Sequence, residues 1–263
     1  SWLSEQAGSE RRVLALDEEQ ELVVDQTTEQ VRLLMRVKQV LKERALMLYA
    51  QPIHNREGEG YHEILTRMRC GDSVIMPDQF IPLIVQFNLS QRFDMLVLET
   101  LFSVLHQHPG QRFSVNLLPA TLMQKDSAAQ IIALFQRYAV SPGLITIEVT
   151  EEQAFSNADI SQQNLEALRA FGCAIAIDDF GTGYANYERL KHLQADIIKI
   201  DGCFVRDILT DPLDAIMVKS IVEMARAKQM SVVAEYVESE PQKARLLELG
   251  VNYLQGYLIG KPQ

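Results

Sequence analysis

The chain has 263 residues, 47% of them apolar and 23% charged, a balance that suits a globular fold and a length that suits one α/β barrel. Asp and Glu number 35 against 25 Lys and Arg, and the resulting formal charge of −10 argues against DNA or RNA as a partner, since both call for a basic surface. No apolar run is long enough to read as a membrane span, and Cys70, Cys173 and Cys203 are too scattered for a cysteine metal site or a disulfide framework.

Residues 1–42 read differently from the rest. Val13 to Leu16 and Leu22 to Val24 flank an acidic turn and suggest a small hairpin. A helical pattern follows from Thr28, with Val31, Leu34, Val37 and Leu41 on one face. This segment is expected to be a helical linker or the tail of an upstream domain, or else a helix packed on the main domain. Ser1 is not a natural start, so the chain reads as a fragment: a cytoplasmic domain, with a larger membrane-associated protein left open.

The body, residues 43–263, alternates short apolar runs with amphipathic helices. Strands are expected at Leu46 to Ile53, Ile64 to Arg67, Phe113 to Asn116, Leu144 to Val149, Ala174 to Ile177, Ile197 to Ile200, Ser231 to Ala234 and Asn252 to Leu254. Helices are expected at Asp78 to Gln86, Arg92 to Gln107, Ala128 to Tyr138, Ile160 to Phe171, Leu213 to Gln229 and Gln242 to Leu249. Alternation of this kind implies a parallel sheet covered on both faces. His54 to Gly60 is too short for a crossover, so the first two strands should pair antiparallel. About eight strands favour closure into a barrel over an open sheet.

The polar residues that end these strands carry the chemical signal. Asn116, Glu148, the doublet Asp178-Asp179, Lys199, Glu235 and Gln255 each stand at or near a strand's C-terminal end, with Glu151, Asp201 and Glu238 just beyond. In a barrel such ends converge on one mouth. Any one of them alone would pass as a helix cap or turn residue. Together, so many carboxylates would repel unless a cation joined them. Oxygen ligands without His or Cys suit Mg²⁺ or Mn²⁺, and a pair of such ions is the usual device for phosphodiester hydrolysis. The doublet Asp178-Asp179 is the natural bridge between two ions. Glu63 and Arg67 alternate onto one face of a strand and add a further oxygen and a phosphate grip.

Glu63-Ile-Leu65 with Arg67, Asp178-Asp-Phe-Gly-Thr-Gly-Tyr184, Lys199-Ile-Asp201, Val233-Ala-Glu235 and Gln255-Gly-Tyr257 resemble, in order and spacing, the EAL-domain cyclic-di-GMP phosphodiesterases. The resemblance runs from about Leu46 to Pro262. It implies a modified TIM (β/α)8 barrel with one antiparallel strand, preceded here by the N-terminal helical linker. It implies linearisation of cyclic di-GMP to 5′-pGpG with two Mg²⁺ or Mn²⁺ ions. Glu63, Asn116, Glu148 and Asp178 would hold one metal; Asp178, Asp179 and Glu235 would serve the other. Lys199 would sit beside the nucleophilic water, with Glu238 and Gln255 in support. Gln51, Leu65, Arg67 and Gln255 would contact the nucleotide, and Glu151 would anchor the loop bearing Asp178 and Asp179. Homodimerisation and an upstream GGDEF or sensory domain are further implications. A catalytically silent cyclic-di-GMP receptor is the main alternative. Four departures stand out: Ile64 for the usual Ala, Val85 for a common Glu, Ala185-Asn186 for two common Ser, and Tyr236 for the usual Gly. The last sets the expectation that the backbone at Tyr236 avoids positive φ.

Overall fold

A computed structural model of the chain describes residues 28–151, 159–181 and 194–263. The expected hairpin over Val13 to Val24, and the loop beyond Gly181 with Ala185 and Asn186, lie outside the described residues. In chain order the strands are β1 (Leu46–His54), β2 (Gly60–Cys70), β3 (Ser73–Ile75), β4 (Phe113–Asn116), β5 (Ile145–Thr150), β6 (Ala174–Phe180), β7 (Ile197–Ile200), β8 (Ser231–Ala234) and β9 (Tyr253–Gln255). The helices are α1 (28–43), α2 (Pro77–Gln86), α3 (Ser90–Val104), α4 (Pro119–Leu122), α5 (Ser127–Tyr138), α6 (Asp159–Phe171), α7 (Gly202–Arg206), α8 (Pro212–Ala227) and α9 (Glu240–Leu249).

The strands run β1-β9-β8-β7-β6-β5-β4-β2 and close through a β1–β2 pairing, so eight strands form a barrel and β3 hangs from β2 as a short hairpin. β1 is antiparallel to both its neighbours, and every other pairing around the ring is parallel. The short connection after His54 dictates this, because a turn of that length can only reverse the chain. The expected strands all form, some longer than their apolar runs: β2 extends back to Gly60 because Leu46 to His54 pair with it along their whole length, and on to Cys70 because its end pairs with β3.

The amphipathic helices cover the outside of the ring. Leu98, Leu101 and Phe102 of α3 and Ile131, Leu134 and Phe135 of α5 are buried with Val115 and Ile147 of the strands in one core. Val218, Ile221 and Ala225 of α8 and Leu246 of α9 are buried with Ile177, Ile198 and Val232 in a second. Each such Val, Leu, Ile or Phe side chain contributes about 1.5–3 kcal/mol when fully buried. Asp211 caps α8 by accepting from Leu213 N at 2.8 Å, and Ser239 caps α9 from the same structural position. α1 joins the first core through Leu34, Val37, Val40 and Leu41. Val31, expected on the same face, is 46% exposed a turn earlier. Among the described residues no helix is long and apolar enough to cross a membrane.

Inside the ring, strand alternation sorts the side chains into layers. Ile53, Tyr61 and Val233 form a small apolar floor with Ile197 and Tyr253 against them. Two residues further along their strands come Glu63, Lys199, Glu235 and Gln255. The polar layer therefore rests on a dry floor at the C-terminal mouth.

Candidate active site

The mouth is centred on Lys199, which is fully buried. Its ammonium lies 2.8 Å from Glu148, 2.9 Å from Asp178, 2.9 Å from Glu235 and 3.2 Å from Glu63. Burial disfavours a charged lysine, but the carboxylates of Asp178, Glu148, Glu235 and Glu63 outweigh it and hold the pKa well above the ordinary value. One ammonium cannot satisfy four acids. Burial and the neighbouring Glu63 carboxylate push Glu148 well upward, against the pull of Lys199. Burial, with Asp178 and Glu63 nearby, raises Glu235 to about 8. Glu63 is lowered: burial acts upward, but Lys199 and the hydrogen bonds from Gln255, Lys199 and Asn116 prevail.

Two groups of acids come close enough to hold an ion. Glu63, Glu148 and Asp178 offer oxygens within 4.8 Å of one another, and so do Asp178, Asp179 and Glu235. Asp178 belongs to both. Glu148 Oε1 is buried without a hydrogen-bond partner, a costly state for an acceptor unless a cation takes the lone pairs, and Asp178 Oδ1 has the Lys199 ammonium at 2.9 Å, which three other acids share. The donor set is all oxygen, which fits a hard divalent ion.

The doublet needs a device to work as a pair. Neighbouring side chains on a regular strand point to opposite faces. Here the β6–β7 register shifts between Ile177 and Phe180, and Asp179 adopts φ 53. This bulge turns both carboxylates into one cavity, and Asp is among the residues that tolerate the left-handed region. Burial, then the charges of Asp178 and Asp201, raises Asp179 to about 6. Glu151, buried just past β5, accepts from Gly181 N at 3.0 Å and so ties down the backbone that follows the doublet.

The remaining expected residues gather around the same cavity. It measures about 440 Å³ and is lined by Gln51, Leu65, Arg67, Glu238 and Gln255 as well as by Glu63, Asp178, Asp179 and Glu235, while Glu148 lies behind it. Gln255 Nε2 donates to Glu63 Oε2 at 2.6 Å and to Gln51 Oε1 at 3.2 Å. Asn116 Nδ2 donates to Glu63 Oε1 at 2.8 Å. Gln255 and Asn116 thus orient Glu63, Gln51 steadies Gln255, and Asn116 retains its carbonyl oxygen for a cation. The Arg67 guanidinium stacks 5.8 Å from the Tyr49 ring centroid, which holds the side chain along the wall.

One expectation fails. Tyr236 adopts φ 55, the left-handed region it was expected to avoid. Glu235 N donates to Ile200 O at 3.2 Å and Val237 N to Gln255 O at 2.9 Å, so bonds on both sides impose the turn whatever residue occupies it. The conformation costs an L-residue roughly 1–2 kcal/mol. Gly202 makes room for the ring: a Cβ there would lie 2.3 Å from Tyr236 Cδ2. Gly256, at φ +155, likewise allows close approach, since a Cβ would meet Val237 O at 2.2 Å. Tyr61 is the other residue not anticipated. It lies beneath Lys199, and burial together with the Glu148 charge drives its pKa upward.

The family model described as "EAL domain" matches residues 35–262. The chain belongs to the EAL domain family. Along its whole length it is 60% identical to "Probable cyclic di-GMP phosphodiesterase PdeA" of Escherichia coli K12, covering 37% of that protein. It is 43% identical to "Cyclic di-GMP phosphodiesterase PdeF" of the same organism, over 89% of this chain and 32% of the relative. This EAL domain therefore spans about a third of the length of the curated relatives it matches. Among solved structures it resembles "PaMucR Phosphodiesterase, c-di-GMP complex", with TM-score 0.81, 34% identity, and coverage of 88% of this chain and 97% of the other. The barrel with one antiparallel strand is the fold of that family.

Proposed function

We propose that this EAL domain hydrolyses cyclic di-GMP to linear 5′-pGpG with the help of two divalent cations, Mg²⁺ or Mn²⁺. The observation that carries the reading is the pair of acidic groups sharing Asp178 at the bottom of an Arg-walled cavity. The names of the relatives and the cyclic di-GMP complex among the structural neighbours support the choice of substrate.

Glu63, Asn116, Glu148 and Asp178 would hold one ion; Asp178, Asp179 and Glu235 would hold the second. Bound there, the ions would lower the pKa of a water and offset phosphate charge. The chain's own groups do the rest. Arg67 takes a non-bridging phosphate oxygen in its guanidinium fork. Lys199, whose ammonium four carboxylates share, would turn one N–H toward the attacking water once ions take over those oxygens, and so fix its direction in line with the departing ribose 3′-oxygen. Gln255 and Asn116 hold Glu63 still, so the oxygens arrive preorganised rather than rearranging during reaction. Gln51 and Leu65 receive the nucleotide along the wall, and Glu238 lies at the rim beside Glu235.

Incubation with cyclic di-GMP and either metal should yield 5′-pGpG, and chelation should stop it. Tight binding without turnover in both metals would replace this reading with that of a receptor. The relatives' greater length supports a further part of the proposal, an upstream GGDEF or sensory domain joined through the segment 1–42; a homodimeric barrel is proposed with it from the family resemblance alone.

A further inference from the structure

The Tyr236 ring has an arrangement that packing does not explain. Its backbone sits in the left-handed region, where glycine is at ease and an aromatic residue is strained. Its side chain is 59% exposed, so burial returns little for that strain. The backbone that carries the ring is nonetheless held, and the ring lies against Gly202. The bonds to Ile200 O and Gln255 O clamp the backbone on either side, and Gly202 opens the seat beneath it. It lines the same cavity as the acids, Leu65 and Arg67. Tyr257, the other exposed aromatic on that cavity, is occupied by the Lys261 ammonium 5.2 Å from its centroid. Among the described residues no ring or cation stacks against Tyr236.

The cavity floor is acidic and suits phosphate only through cations. A nucleotide also brings flat purine faces, which need an apolar surface to leave water. Base–aromatic stacking supplies this without regard to hydrogen-bonding pattern. A rigid ring, preorganised by its own backbone, loses little entropy in doing so.

We propose that Tyr236 is the platform on which one purine base of the bound cyclic dinucleotide stacks, making it a substrate-positioning residue. The inference rests on the phosphodiesterase reading above. Gly202 is part of the device, since any side chain there would dislodge the ring.

The test compares wild type, Y236G, Y236F, G202A and the double variant G202A/Y236G in steady-state hydrolysis and in calorimetric binding of cyclic di-GMP. Y236G should raise KM and the dissociation constant about tenfold, leave kcat within about threefold, and keep or raise the thermal midpoint. Y236F keeps the ring and should restore tight binding. G202A should weaken binding in the wild-type background and do nothing further in Y236G, a non-additivity that a general packing defect would not produce. Unchanged binding by Y236G, a Y236F variant as weak as Y236G, or a marked fall in the Y236G midpoint would each overturn the proposal. Wild type that binds but does not turn over would overturn the phosphodiesterase reading while leaving the binding comparison intact.

Discussion

Asp94 on α3 and Glu148 on β5 are both buried acids, and burial raises the pKa of each. Each also has a carboxylate oxygen without a hydrogen-bond partner. Their surroundings separate them. Asp94 Oδ2 accepts from Leu118 N at 2.9 Å and Thr121 Oγ1 at 2.5 Å, so it clips the start of α4 to α3. It belongs to no acidic group able to hold an ion among the described residues, and it meets its desolvation by keeping a proton, with a pKa of about 7. Glu148 stands with Glu63 and Asp178 around one ammonium. Several acids in register leave charge that protonation of any one does not clear. Buried acidity therefore marks a functional site only where strand register makes acids converge.

The largest test of that contrast is Asp178→Asn. Asp178 is shared by both acidic groups, so its loss should cut cyclic di-GMP hydrolysis by about 10³-fold or more while far-UV circular dichroism stays native. Turnover near the wild-type rate would remove the functional half of the comparison.

Lys199→Met probes the same cluster without touching a carboxylate. Removing one partner of a buried ion pair costs about 3–5 kcal/mol, and here four acids lose the same ammonium. The chelator-treated variant should melt well below the chelator-treated wild type, and Mn²⁺ should recover much of the difference. If the two melt together in chelator, Lys199 is not what holds the acids in place.

Glu151→Ala should act more gently. It removes the acceptor for Gly181 N and frees the backbone after the doublet, but takes away none of the proposed ligands. Hydrolysis should fall about tenfold, as expected for the loss of a positioning contact. A loss as deep as that of Asp178→Asn would make Glu151 part of the ion site itself.

The strand ends were legible because alternation and chain order suffice to place them. Glu148 and Lys199 each lie on a short apolar run, and a closed barrel brings such runs to one rim. The bulge that aims Asp178 and Asp179 together was not legible, since adjacent residues on a regular strand diverge. Nor was the conformation of Tyr236, where ladder bonds on both sides override a side-chain preference. The helices α4 and α7 have four and five residues, too few to show a helical period. Tyr61 escaped for a related reason: the apolar signal of β2 starts after it, while its pairing with Ile53 of β1 makes it part of the strand.

Asp94→Asn gives the smallest effect on chemistry and sharpens the other half of the comparison. The folded pKa of about 7 lies above the ordinary aspartate value of 3.8, so between these pH values the native state keeps a proton that the unfolded chain has released. Native protein binds more protons there, and stability must fall as pH rises through that window. The stability is fully present in acid, below the ordinary value, and is lost by about pH 7. Each pH step of one across the window removes at most roughly 1.4 kcal/mol. An asparagine can still accept from Leu118 N and Thr121 Oγ1 but has no charge to bury. Urea titrations at about pH 5 and about pH 8 should therefore show a smaller pH-dependent loss for the variant than for wild type, with hydrolysis within about twofold of normal. An equal loss in both proteins would place the ionisation elsewhere. A large fall in hydrolysis would mean that the clip between α3 and α4 reaches the mouth through Leu117 and Asn116, joining the two regions that the comparison separates.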